Sequence, residues 1–188
     1  MGSTLLLVIL AVVLLGYALY VRLIKVRNKV QESAADIDVQ LKKRYDLIPN
    51  ILQTAAKFME HEKTLMNELT ELRVKAMSTT FAGSPKEKME LENMLNQKLG
   101  EFKVSLENYP DLKSNQTMIT AMQTMNEVEE HISAARRFYN SNVTALKNAV
   151  EIFPSSIIAG MMNITYQDHP FFEISDIERK PINTKDFF

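Results

Sequence analysis

Cysteine and tryptophan are both absent from this chain of 188 residues. Without cysteine, the protein has no disulfide framework, no thiolate metal site and no cysteine nucleophile. Glycine and proline are scarce, with five and six copies. The single, scattered glycines form neither a phosphate-binding loop nor a Gly-x-Ser-x-Gly turn. These absences argue against an enzyme or a cofactor-binding protein, and the shortage of helix breakers favours an all-α fold.

Histidine is also rare, with three copies at His61, His131 and His169. The residues three positions before His61 and His131 are apolar, so the Glu-x-x-His pairs of bundle di-metal sites are missing. The sequence after His61 does not complete a His-Glu-x-x-His motif, because its fifth residue is Leu65. We therefore predict no catalytic residue, no metal site and no cofactor.

One long hydrophobic run stands at the start of the chain, at residues 5–24. Its 20 residues contain one charge, Arg22, and as a helix they would span about 30 Å, the thickness of a bilayer core. Tyr17 and Tyr20 lie near its end, where aromatic rings favour the membrane interface. The run predicts an uncleaved single-pass transmembrane helix, preceded by a short extracytoplasmic N-terminus at residues 1–4.

A basic collar follows this run and has no acidic residue in it. It consists of Arg22, Lys25, Arg27 and Lys29, which can contact lipid headgroups. The positive-inside rule then places the rest of the chain in the cytoplasm. The remaining 18 basic residues are outnumbered by 23 acidic ones, so nucleic acid is not an expected partner.

Residues 25–166 read as an antiparallel bundle of long helices, and residues 167–188 as an extended tail. The apolar spacing predicts helices at about 26–77, 85–108, 114–153 and 155–165. The stripe of the 114–153 helix advances in steps of four and three, as in coiled coils. The first bundle helix contains Pro49, which removes a backbone donor, so we expect a kink or break there. On this reading the preceding segment is a stalk or an inter-subunit helix, and packing partners change at the proline.

Charged residues interrupt the apolar stripe of the 114–153 helix at Glu129 and Arg136. A buried charge without a partner is costly, so both need complementary groups on a neighbouring helix or subunit. One hypothesis pairs Asp36 or Asp38 with Arg136 or Arg137. The candidate polar network, structural or inter-subunit, consists of Asp36, Asp38, Arg44, Asp46, Glu129, Arg136, Arg137, Tyr139 and Asn140.

Two stretches carry a family resemblance. "IDVQLKKRYDLIPNILQTAAKFMEHE" at residues 37–62 and "ARRFYNSNV" at residues 135–143, followed by "FPSSIIAG", resemble the LemA family. The resemblance implies a membrane-anchored helical protein of bacteria or archaea that is not an enzyme. The roles it implies range from magnetosome membrane formation to envelope stress and signalling.

Two functions remain open at this point. One is a scaffold that self-associates on the membrane as a homo-oligomer. The other is a monomeric anchored adaptor that binds a soluble protein through its tail or through a methionine-rich face. Met118, Met122 and Met125, extended by Met89 and Met94, would form that face, unless they simply belong to the core.

Overall fold

The computed structural model describes residues 2–172 and contains six α-helices within them. Helix α1 spans Gly2–Ala55, α2 spans Lys63–Ser78, α3 spans Pro85–Ser105, α4 spans Pro110–Lys113, α5 spans Gln116–Glu151 and α6 spans Ser155–Met161. Short 3-10 turns at Glu60–Glu62 and Leu106–Asn108 flank α2 and α3. The all-α prediction is confirmed.

The four long helices alternate in direction. Arg73 of α2 contacts Tyr45 of α1, and Lys98 of α3 contacts Glu68 of α2, so α2 returns along α1 and α3 reverses again. Helix α5 runs antiparallel to α1 along most of the bundle, since the Asn142 side chain donates to the Lys29 carbonyl near one end. Further along the same pair of helices, Glu129 contacts Arg44. The result is a bundle built around α1 and α5.

The prediction of one helix over residues 26–77 is wrong, because the chain reverses between α1 and α2. The Ala55 carbonyl accepts from the amides of Phe58 and Met59, both at 2.9 Å, which closes a tight turn. Met59 is fully buried and fills the space between the two helices, whereas Phe58 is exposed. The reversal contains neither glycine nor proline, and the apolar spacing continues across it. Periodicity alone therefore could not locate it.

Of the kink or break expected at Pro49, the break is absent, because α1 continues through it to Ala55, and the kink stays a prediction. Packing partners change nearer to Asp38, whose carboxylate accepts from the backbone amides of Phe81 and Ala82 at 2.7 and 3.3 Å. This contact fixes the turn between α2 and α3 against α1. On the side of this contact that contains Arg44, four helices pack together. On the side towards the hydrophobic run, α1 packs on α5 and α6.

The other helices lie close to their predicted bounds. Helix α3 and its 3-10 turn cover the predicted 85–108 segment. Helix α5 is two residues shorter at each end than predicted, and Asn115 caps it by accepting from Thr117 and Met118. Helix α6 ends at Met161 rather than at 165.

The predicted extended tail begins as part of the packed domain. Phe171 and Phe172 are partly buried and contact the hydrophobic core. Residues 173–188 of the predicted tail lie outside the described residues.

Candidate functional site

The most unusual feature of the bundle is a cluster of charged side chains enclosed between α1, α3 and α5. Arg44 stands at its centre and is 0% exposed. Its Nη1 donates to Asn96 Oδ1 at 2.6 Å and to Glu129 Oε1 at 3.0 Å. Its Nη2 donates to the carboxylate of Glu92, which is 1% exposed. One guanidinium therefore holds three helices together.

Lys88 extends this cluster towards the end of α2. Its Nζ donates to the Tyr45 hydroxyl at 2.8 Å and to the carbonyls of Ala76 and Thr79 at 2.5 and 2.8 Å. The Tyr45 hydroxyl in turn donates to Glu92. All three hydrogens of the ammonium thus have acceptors. We call Arg44, Tyr45, Lys88, Glu92, Asn96 and Glu129 the polar core.

The charges of the polar core balance. Arg44 and Lys88 are opposed by Glu92, which is buried with them, and by Glu129, whose side chain is 33% exposed. Leaving any of the buried charges unpaired would be costly, because the bundle interior solvates a charge poorly. The polar core is therefore stable only when all of its helices are docked in one register.

Burial changes the acid–base properties of two members. Desolvation lowers the pKa of Lys88 from 10.5 to about 8, with a smaller opposing effect from Asp38. Desolvation also raises the pKa of Tyr45 to about 12, opposed by the nearby charge of Arg44. At neutral pH the lysine is an ammonium and the phenol keeps its proton, which matches the hydrogen bonds described above.

Pro49 has a role that the sequence did not indicate. A proline at this position cannot donate to the Tyr45 carbonyl four residues earlier. Arg73 Nε of α2 donates to that carbonyl instead, at 2.6 Å. The proline thus frees an acceptor on α1 for a contact with α2, while the helix itself continues.

A second cluster joins the described end of the chain to the bundle. Phe172 stacks on Phe81, with ring centroids 4.7 Å apart, and both rings meet Tyr139 edge to face. The Asn140 side chain donates to the Phe172 carbonyl and accepts from its amide, both at 2.9 Å. Arg136 lies over the Phe172 ring at 5.0 Å. These contacts bind the segment after α6 to the middle of α5.

The remaining candidates from the sequence lie elsewhere. Asp36 and Arg137 are exposed, and Asp46 forms an exposed ion pair with Lys42 at 2.6 Å. Asp38 and Arg136 both lie near enough to Tyr45 to affect its pKa. Their direct pairing stays a prediction.

The basic collar lies where the bundle begins. Arg22, Lys25 and Lys29 are exposed there, and Arg27 is partly buried.

Sequence reasoning missed Lys88 and Glu92, although a signal was available. The apolar stripe of α3 contains Leu95, Leu99 and Phe102, all buried. Continued backwards in steps of three and four, the stripe reaches Glu92 and Lys88. These charges interrupt an apolar stripe in the same way that Glu129 does on α5.

The centre of the polar core is closed to solvent, because Arg44, Lys88 and Glu92 are each at most 2% exposed. Within residues 2–172, no three histidine, aspartate or glutamate side chains are grouped so that they could share a metal ion. What the polar core can do is fix the register of the helices that carry it.

Comparison with known proteins decides the family. The model of the LemA family matches residues 33–186, which is most of the chain. The chain belongs to the LemA family. A curated relative, protein LemA of Metamycoplasma hominis, is 22% identical over 165 residues, covering 87% of this chain and 73% of the relative. The resemblance carried by residues 37–62 and 135–143 is thus confirmed.

The LemA match begins after the hydrophobic run and includes both the polar core and the Phe172 cluster. The run itself belongs to α1, the one helix within residues 2–172 that is long and apolar enough to cross a membrane. Its section from Leu5 to Leu15 has large apolar side chains that are 50% to 67% exposed. This LemA-family chain therefore combines a helical bundle that contains buried charges with a helix that could span a membrane.

Proposed function

We propose that this LemA-family chain is a non-enzymatic scaffold that self-associates at the bacterial cell membrane. In this proposal α1 crosses the inner membrane once, and the bundle lies in the cytoplasm. The observation that carries the proposal is the continuity of α1, which runs from an exposed apolar section into the enclosed polar core without a linker. Such a helix can hold a rigid domain at the surface of a bilayer.

The orientation rests on the basic collar. Arg22, Lys25 and Lys29 are exposed at the end of the apolar section and would meet the anionic lipids of the cytoplasmic leaflet. Residues 1–21 contain no lysine or arginine. The positive-inside rule therefore supports a cytoplasmic bundle.

A non-enzymatic role is supported by the enclosure of the reactive groups. The buried charges of the polar core are occupied with one another and are closed to solvent. A protein with this arrangement acts through its surface and its shape.

Self-association is supported by exposed residues at one height of the bundle. Val39 of α1 is 53% exposed and Phe138 of α5 is 54% exposed. The contact of α5 with the Lys29 carbonyl and the ion pair of Arg44 set the antiparallel register of α1 and α5. This register brings Val39 and Phe138 to a similar level along the bundle. Exposed groups of opposite charge, Asp36 and Arg137, lie at the same height and are available to a neighbouring copy.

The mass of the full-length protein in mild detergent tests this proposal. Light scattering across a chromatography peak should give a discrete oligomer, and Val39→Ser with Phe138→Ser should reduce its mass. Val104→Ser is the matched control, because Val104 of α3 is 67% exposed but lies on another helix. A monomer for the unsubstituted chain would refute self-association.

One observation favours the adaptor as a second candidate. A groove of 310 Å³ lies between the ends of α3 and α5, lined partly by Leu106, Met118 and Met122. Of the predicted methionine face, Met118 and Met125 are buried in the core, Met89 and Met122 are partly buried, and Met94 is 45% exposed. A monomer in detergent, with a groove that binds an amphipathic peptide, would favour this adaptor.

A further inference from the structure

Four large apolar side chains are exposed together at the end of the bundle that is formed by the α5–α6 connection. Ile152 is 58% exposed, Phe153 75%, Ile157 57% and Met161 82%. Ile157 and Met161 are four residues apart, which puts them on one side of α6, and Ile152 and Phe153 lie in the turn that precedes this helix. We call these four residues the apolar tip.

The register of α5 against α1 places the apolar tip beside the membrane helix. The Asn142 side chain contacts the carbonyl of Lys29 at 3.3 Å, and the two helices are antiparallel. Ile152 lies ten residues further along α5, a rise of about 15 Å. The same distance back along α1 ends at Leu19, in the last part of the apolar run. The apolar tip therefore lies level with the end of the segment that would leave the bilayer.

The bundle also begins without a spacer. Leu23 is 1% exposed, so packed structure starts one residue after Arg22. Helices α5 and α6 therefore end against the stretch of α1 that leaves the bilayer, and the apolar tip faces the same interfacial layer as Tyr17 and Tyr20. Aromatic and apolar side chains favour that layer.

The charge around the apolar tip fits an anionic lipid surface. A groove of 360 Å³ along α1 is lined by Arg22, Lys25 and Lys29 together with apolar residues. Between residues 143 and 162 the sequence has one acidic residue, Glu151, and one basic residue, Lys147. The collar thus supplies the net positive charge, and the apolar tip supplies the surface that can enter the lipid.

We infer that the apolar tip inserts into the interfacial layer of the bilayer that α1 crosses, and so gives the bundle a second membrane contact. The inference rests on the membrane anchoring in the proposed function. A single helix leaves the bundle free to swing, whereas a second contact beside it restricts the orientation of the bundle. The occupant of this surface is therefore lipid.

The absence of tryptophan makes a direct test possible, because one introduced tryptophan is the only one in the chain. Phe153→Trp reports on the apolar tip, and Leu10→Trp reports on the membrane helix. Phe138→Trp is the matched control, since Phe138 is an exposed phenylalanine of α5 that lies further along the bundle. Each full-length variant is placed in vesicles of phosphatidylglycerol and phosphatidylcholine whose acyl chains are brominated near their carbonyl ends.

Bromine should quench Phe153→Trp at least about half as strongly as Leu10→Trp and leave Phe138→Trp nearly unchanged. Quenching of Phe153→Trp no stronger than that of Phe138→Trp would overturn the inference. Blue-shifted emission that bromine does not quench would also overturn it, because protein, either a second copy or residues 173–188, would then cover the apolar tip. Met161→Trp repeats the test if Phe153→Trp does not fold.

Leu10→Trp separates the two proposals. If bromine quenches Leu10→Trp but not Phe153→Trp, α1 is anchored and only the second contact fails. If bromine quenches neither, the membrane anchoring fails and the inference fails with it.

Discussion

Helix α1 passes through two regions that differ in the kind of side chain they expose and bury. Near its start, Leu10 is 50% exposed and Val12 is 63% exposed. Further along, Arg44 is 0% exposed and is enclosed with Glu92. Apolar exposure is costly in water and favourable in lipid, while a buried charge needs partners in either medium. The difference matches a helix whose first part could lie in a membrane and whose later part packs inside a bundle.

The largest expected effect comes from a substitution that disrupts the polar region and leaves the apolar region unchanged. Arg44→Met leaves Glu92 buried without its guanidinium, so the free energy of unfolding should fall by about 3–5 kcal/mol. Chemical denaturation of the full-length protein in detergent measures it. Lys42→Met is the matched control, because Lys42 forms an exposed pair with Asp46 and should cost less than about 1 kcal/mol. Equal losses for the two variants would show that the polar core does not stabilise the bundle.

The second prediction concerns a substitution that disrupts the apolar region and leaves the polar region unchanged. Leu10→Arg puts a charge in the middle of the apolar section and should disfavour insertion by about 2.5–3.5 kcal/mol. The membrane-bound fraction should fall, while the thermal unfolding of the bundle stays unchanged because Leu10 is not part of its core. Leu10→Ile is the control. A bundle that unfolds at a lower temperature in the arginine variant would contradict this separation.

A double-mutant cycle sharpens the account of Pro49. Arg73→Met should cost about 1–2 kcal/mol, because the Tyr45 carbonyl loses its donor. In a Pro49→Ala background the alanine amide can donate to the same carbonyl, so Arg73→Met should cost less than about half as much. Equal costs in both backgrounds would refute the link between the proline and the arginine.

The smallest expected effect is a pH dependence from Lys88. Its pKa is lowered to about 8 in the folded chain from 10.5. Between these values the unfolded chain binds the proton that the folded chain has lost, so the free energy of unfolding should rise with pH, by at most about 1.4 kcal/mol for each pH unit. Urea titrations from pH 7 to pH 10 check this, and Lys88→Met should abolish the rise. Above pH 10 the free energy of unfolding should fall again, because the pKa values of Tyr45 and Tyr139 are raised to about 12 in the folded chain. The phenols of the unfolded chain lose their protons first, and this effect opposes that of the lysine.

The sequence predicted the apolar section well and the polar region in part. A run of 20 residues with a single charge has few alternative readings. Glu129 is recognisable because it interrupts a regular stripe, and Arg44 because it offers a complementary charge. Lys88 and Glu92 interrupt the stripe of α3 in the same way, but that stripe is shorter and its charges are harder to distinguish from those of a solvent-facing side.

Other features depend on contacts that a sequence pattern does not encode. The reversal at residues 56–62 has no glycine or proline, and the buried side chain of Met59 fills the space there. The two hydrogen bonds between the Asn140 side chain and the backbone of Phe172 join residues 32 positions apart. Such pairings depend on how the helices pack, so only the folded chain reveals them.

The continuity of α1 also has a mechanical consequence. From Arg22 to Ala55 the helix extends about 50 Å beyond the apolar section. A change of about 10° in the tilt of the membrane section would move the far end sideways by about 9 Å, if the helix turns as one lever. Tilt responds to the match between the hydrophobic length and the bilayer thickness. With α1 in the bilayer as proposed, and without the restraint of the apolar tip, a small change in membrane thickness would become a displacement about the width of a helix.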